Sequence, residues 1–168
     1  MMGGGYDDSP NDPQTMRGRD WPCLRQFCVF MENRVGRLND LLRHIEREDL
    51  RVMALSVVDT VDFAVARILV DNTDRVRELL SLSDFTVTEN DIVGVELPDD
   101  PQPFLQIFRA IVSAEINISY TYPLLYRRGG RGAIALHVDN VDQATQLLQS
   151  LKFRVLTESD LMQDDEFF

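Results

Sequence analysis

Asn33, Gly36 and Leu38, within "ENRVGRL" (Glu32 to Leu38), have the spacing that comes nearest to a chemical device in this chain. The stretch joins an apolar run to a stripe of helical period, so it falls where a loop enters a helix. A helix N-terminus presents backbone N–H groups without intrahelical partners and carries partial positive charge, which suits a carboxylate. Gly36 permits close backbone approach and a positive φ. Asn33 offers both hydrogen-bond donors and acceptors to a bound group. Arg34 or Arg37 adds a charge-assisted contact to the carboxylate. The plainer alternative is a simple bend, with both arginines as solvated surface charges.

Other chemistry is poorly supplied. His44 and His137 fall on separate elements without matching Cys or carboxylate spacing, so no metal site is expected. Cys23 and Cys28 match neither a zinc nor a CxxC pattern and are expected to be free thiols, Cys28 buried as a small hydrophobe. "RRGGRG", Arg127 to Gly132, is an anion-nest candidate but sits where a hairpin tip is expected. No nucleophile elbow, phosphate loop or dinucleotide fingerprint occurs, and no catalytic residue or cofactor is expected. The 168 residues carry a formal charge of -11, which argues against nucleic acid and anionic membrane surfaces as partners. No apolar stretch approaches the roughly 20 residues of a membrane span. Without a signal-peptide pattern, a cytoplasmic location is the expectation.

The elements that must position the loop occur twice. Leu38, Leu41, Leu42 and Ile45 mark one helix face, and Phe104, Ile107, Phe108 and Ile111 repeat that spacing. "VDNTD" (Val70 to Asp74) is echoed by "VDNVD" (Val138 to Asp142), each with an Asn-x-Asp able to cap the following helix. "FTVTENDI" from Phe85 and "FRVLTESDL" from Phe153 close the two copies. Each copy reads strand, helix, strand, strand, helix, strand. The first has strands at Gln26–Met31, Arg51–Val58, Phe63–Val70 and Phe85–Thr88, with helices at Arg37–Glu48 and Asp74–Leu82. The second has strands at Ile92–Leu97, Asn117–Leu125, Gly132–Val138 and Arg154–Thr157, with helices at Pro103–Ala114 and Asp142–Leu151. This is an α+β fold of two ferredoxin-like βαββαβ units side by side, antiparallel sheets with helices on one face. Residues 1–22 read as a flexible tail, 23–90 and 91–161 as the two domains, and 162–168 as an acidic end.

In these features the chain resembles tandem ACT domains over roughly Leu24 to Leu161. The most specific piece is the Asn-x-x-Gly-x-Leu pattern of Asn33, Gly36 and Leu38, although Val35 stands where the family usually has Pro. The second is "EINISY", in which Asn117 and Ile118 open the second strand of copy two. The resemblance implies binding rather than catalysis, with a free amino acid held between the first loop of one domain and the second strand of its neighbour. The implied site comprises Asn33, Arg34, Val35, Gly36, Arg37 and Leu38 with Asn117, Ile118, Ser119 and Tyr120. At the position of "ENRVGRL" the second copy reads "PDDPQPF", where Gln102 replaces the glycine and Asp99 and Asp100 repel a carboxylate. Copy one, in turn, lacks the Asn of the receiving strand, so one site per chain is expected. Asn117 as a helix C-cap, and Tyr120 and Tyr122 as core aromatics, are the structural alternatives.

The expected function is therefore a non-catalytic regulator that binds an amino acid and modulates a partner enzyme, itself a homodimer. The alternative is a constitutive interaction module that takes no small ligand. A ferredoxin-like RNA binder is disfavoured by the acidity and by the absence of a basic-aromatic strand motif.

Overall fold

The computed structural model describes residues 18–162, so the expected tails lie largely outside the described residues. The first half forms β1 (Leu24–Glu32), α1 (Arg37–Ile45), β2 (Val52–Asp59), β3 (Phe63–Val70), α2 (Thr73–Ser81) and β4 (Thr86–Glu96). The second forms α3 (Pro103–Ser113), β5 (Ile118–Arg128), β6 (Arg131–Val138), α4 (Val141–Ser150) and the short α5 (Glu158–Met162). The sequence-derived capping holds: Asn72 and Asn140 accept from the backbone N–H of Arg75 and Gln143, both at 3.0 Å. Gly129 and Gly130, at φ 58° and 78°, form the two-residue turn between β5 and β6, as "RRGG" suggests.

All six strands belong to one antiparallel sheet, ordered β2-β3-β1-β4-β6-β5. The two units meet in β4. Its first part pairs with β1, from Thr86 opposite Phe30 to Ile92 opposite Leu24, and its second part pairs with β6. The two strands expected at Phe85–Thr88 and Ile92–Leu97 are thus one strand, uninterrupted by the polar "END". Those polar residues stay extended because each has a partner. Glu89 takes Arg77 at 2.9 Å and Arg25 at 3.5 Å, Asp91 takes Arg25 at 2.8 Å, and Asn90 accepts from Gln26 at 3.1 Å.

Strand alternation sorts the side chains onto two faces. Phe27, Val29, Met31 and Ile68 pack under α1 and α2, while Val93, Val95, Ile134 and Leu136 pack under α3 and α4. Val87, Val93 and Val95 share one side of β4, so the helices of both units cover the same face of the sheet. The opposite face closes on itself, joining Leu24, Met53, Leu69 and Ile92 to Tyr122, Leu124, Tyr126 and Leu156 in a third core. This curl brings the outermost strands together. Val52–Leu55 of β2 and Pro123–Leu125 of β5 line a shared cavity of about 300 Å³, with no β-ladder between them among the described residues.

The end of copy two departs from the expected strand at Arg154–Thr157. Only an isolated bridge between Val155 and Val95 forms, and the chain then turns into α5. "TESD" is a reciprocal helix cap: Asp160 accepts from the Thr157 backbone N–H at 2.9 Å, and Thr157 Oγ1 accepts from the Asp160 N–H at 3.2 Å. Residues 19–22, read from sequence as part of the tail, lie against this end. Arg19 pairs with Asp74 at 2.7 Å and Asp20 accepts from Ser159 at 2.8 Å.

Candidate functional site

The junction of β1 and α1 has the backbone that the sequence requires. Gly36 is the N-cap of α1 with φ 96°, no side chain caps the helix, and an added Cβ at Gly36 meets no atom within 4 Å. Asn33 has a structural duty as well: its side-chain amide donates to the Thr60 carbonyl at 2.9 Å, tying the loop to the β2–β3 turn. Arg34 pairs with Glu32 at 3.0 Å on the surface, and Val35 is fully exposed. Leu38 packs against the core under α1. Arg37 is largely buried, its guanidinium 4.3 Å from the Phe85 ring centre, and its acidic neighbours Asp40 and Asp84 stand off at 3.6 and 3.7 Å. Arg37, Glu32 and Asp84 line a cavity of about 520 Å³ with Phe30, Met31, Phe63 and Thr86.

The corresponding junction of copy two is already filled. Asp100 accepts from the Gln102 N–H at 2.8 Å and from the Gln106 side chain at 2.7 Å, so a carboxylate of the chain itself occupies the start of α3. Asp99 faces Arg131 at 3.8 Å.

The expected receiving strand begins beyond α3. Asn117 does not cap that helix; Ala114 is the C-cap and Glu115 takes the left-handed conformation at φ 59°. The Asn117 backbone instead pairs with Asp139, Ile118 packs in the core under α3 and α4, and Ser119 is exposed. Tyr120 points to the inner face. Its ring stacks on His137 at 4.6 Å, the Arg67 guanidinium lies 3.8 Å above its centre, and its hydroxyl accepts from Gln26 at 2.8 Å. Among the described residues no hydrogen bond or ion pair joins Asn33–Leu38 to Asn117–Tyr120. The two stretches nonetheless point to the same end of the molecule. Tyr120 meets Arg67, which pairs with Ser56, whereas Leu124 packs near Met53 and Ala54; moving back along β5 therefore leads toward Asp59, where Asn33 is tied.

Between them lies an open part of the inner face. Phe30, Val58 and Val65 form a row across β1, β2 and β3, and Phe63 beside them is 60% exposed. The covered part starts at the next row, with Arg67, Cys28 and Thr88. Burial raises the Cys28 thiol pKa against the opposing pull of Arg67, and burial also raises that of Tyr122, which donates to Gln26 Oε1. Burial, then the charge of Arg67, lowers the pKa of His137. Gln26, Arg67 and Phe30 were not legible as site residues: in "LRQFCVFME" and "FAVARILV" they read as ordinary members of alternating strands. Only the curl of the sheet brings Gln26 and Arg67 against Tyr120 of the second unit.

Two βαββαβ units fused through a shared strand place the molecule in the class of tandem ferredoxin-like proteins. Within that class, residues 23–164 match the ACT domain pair, and the chain belongs to that family. The ACT domain pair is a regulatory module. Among solved structures, the chain is similar to protein BT0572 from Bacteroides thetaiotaomicron, with a TM-score of 0.75 and 24% identity over 84% of this chain and 96% of that one. It is also similar to the ligand-free regulatory subunit of aspartate kinase from Thermus thermophilus, with a TM-score of 0.51 and 13% identity over 79% of this chain and 95% of that one. At these identities the likeness is one of fold. No curated protein matches the chain.

Proposed function

We propose that this protein is a non-catalytic regulator that binds one small free amino acid per chain at the β1–α1 junction of its first unit. The observation that carries the reading is the asymmetry of the two junctions: neither helix start is capped by a side chain, but α1 opens beside a cavity, while the approach to α3 is occupied by the Asp100 carboxylate, held by the Gln102 N–H and the Gln106 side chain. The α-carboxylate of the ligand takes the N-terminus of α1 and Arg37. Glu32 and Asp84 receive its ammonium group, and Phe30 and Phe63 favour an apolar side chain. Asn117 to Tyr120 approach from the same end and form the far wall. Occupancy alters the packing or assembly of the protein, a homodimer in this reading, and thereby a partner enzyme.

A thermal-shift screen against the free amino acids tests this directly, since a ligand at a hundredfold its Kd adds about 2.7 kcal/mol of stability. Gly36→Val forces a β-branched residue to φ 96° and should abolish the response with the circular dichroism of the fold retained. A full response in that variant places the ligand elsewhere.

A constitutive interaction module is the second reading, and one feature favours it. On α3, Phe104, Leu105 and Val112 are 50%, 45% and 62% exposed, where the matching positions of copy one hold Leu38, Asn39 and Glu46, the last just past the end of α1. An intact, folded sample that responds to no amino acid while self-associating through this face would support that reading instead.

A further inference from the structure

The outer side of the sheet, which carries the helices, is bare along one line. The first pair of helices packs over β1 and β3 and the second pair over β4 and β6, leaving the seam where β2 meets β5 to one side. Leu55 and Val57 of β2 pair with Ile68 and Ala66, both under the helices, so they point outward, and both are exposed. On β5, Pro123 pairs with Ile134 and points the same way, beside the exposed Leu125. A row of exposed apolar side chains on edge strands invites another chain to cover it. Pro123 has no N–H to offer, which suits an edge strand and keeps β2 and β5 from closing into a ladder there. The cavity of about 300 Å³ between the two strands lies in this strip.

We infer that this strip is the face through which two copies of the chain meet about a two-fold axis. The charges at its ends choose the occupant. β2 and β5 run antiparallel, because every ladder between them in the sheet is antiparallel and their strands are an odd number of steps apart. One end of the strip therefore carries Arg127 and Arg128, just beyond Leu125. The other carries Asp59, on the same side of β2 as Val57, with Asp62 in the turn that follows. All four charged residues are exposed, and the two ends stand about 20 Å apart at strand rise. A two-fold contact reverses the strip, laying the basic end of one copy on the acidic end of the other with the apolar residues between. The strip is thus complementary to itself, which singles out a second copy as the partner. Asp59 also accepts from the Asn33 side chain at 3.4 Å, so the contact ends beside the β1–α1 junction. The inference rests on the homodimer of the regulatory reading and gives it a face, but it does not need the amino-acid ligand.

The test is sedimentation equilibrium of the full chain, without ligand and over a range of concentrations. The expected result is a reversible dimer. Leu55→Glu and Leu125→Glu change exposed side chains, so each should keep the circular dichroism of the fold while raising the dimer Kd at least about tenfold. Asp59→Arg and Arg127→Asp should each weaken the dimer, because each sets like charges together across the axis. The double variant restores opposite charges and should recover most of that loss. A single chain's mass at up to about 100 μM would overturn the proposal. So would a dimer undiminished in Leu55→Glu and Leu125→Glu, including one lost only in Phe104→Glu, which places the contact on α3. Losses in both charge variants that the double variant does not recover would overturn the two-fold arrangement. Thermal shift with amino acids is scored separately. A dimer of this kind without any amino-acid response leaves the face standing and removes the ligand reading, and an amino-acid response from a monomer does the reverse.

Discussion

Gly36 and Gly94 show that the same residue type serves two opposite needs. At Gly36 the space beside the backbone is empty and the positive φ is the constraint, whereas at Gly94 an added Cβ would fall 2.5 Å from Leu24 Cδ1 and 3.3 Å from Leu156 Cβ. Gly94→Ala therefore strains the contact between the units, and should cost about 1–3 kcal/mol in denaturant unfolding. An unchanged midpoint would mean that Leu24 moves aside freely. His137 gives a pH prediction. Its folded pKa lies below the ordinary value of about 6.5, because burial and Arg67 disfavour the imidazolium. The unfolded chain then binds the proton more readily, so this contribution to stability is complete above that pH and is lost as pH falls toward the folded pKa. The groups set against the ring are Arg67 from β3 and Tyr120 from β5, the latter stacked beside Tyr122. His137→Gln removes the titration. Between about pH 7.5 and about pH 5.5 the wild type should lose more stability than the variant, measured by urea midpoints. Parallel losses would contradict the assignment.

At the level of elements, the repeated sequence is a sound guide wherever local signals decide the outcome. Both Asn caps, the Gly-Gly turn and the strand at Phe63–Val70 follow from short-range patterning, and the structure contains each of them. Local signals fail where partners come from far along the chain. "TEND" reads as a break between strands, yet Arg25, Gln26 and Arg77 hold its polar residues in an unbroken β4. "TESD" resembles its counterpart and so reads as strand, but its Thr and Asp are spaced as a helix cap, and that signal was there to be used. Thr157→Ala should destabilise α5 by about 0.5–2 kcal/mol, seen as faster amide exchange over Glu158–Met162. Exchange rates unchanged from wild type would show that Leu161, buried in the inner core, holds the helix without its cap. The candidate loop is a mixed case. The positive φ of Gly36 was legible, but the use of the Asn33 amide by Thr60 and the burial of Arg37 on Phe85 depend on contacts with later segments.

For the whole molecule, the shared strand and the curled inner face make two homologous units into one asymmetric body. The polar cluster of Gln26, Asn90, Tyr120 and Tyr122 sits at the seam, with Gln26 fully buried. A buried, bonded amide of this kind fixes how the two units register, since leaving its partners unsatisfied costs about 1–3 kcal/mol. The same divergence that builds the seam leaves one junction open and one closed. That asymmetry is the basis of the regulatory reading, and its consequence is a stoichiometry. Isothermal titration calorimetry of the full chain with the amino acid that gives the largest thermal shift measures it directly. The structure predicts one site per chain, abolished by Gly36→Val and untouched by Asp100→Asn at the closed junction. Two equivalent sites per chain, or an unaltered isotherm in Gly36→Val, would contradict it.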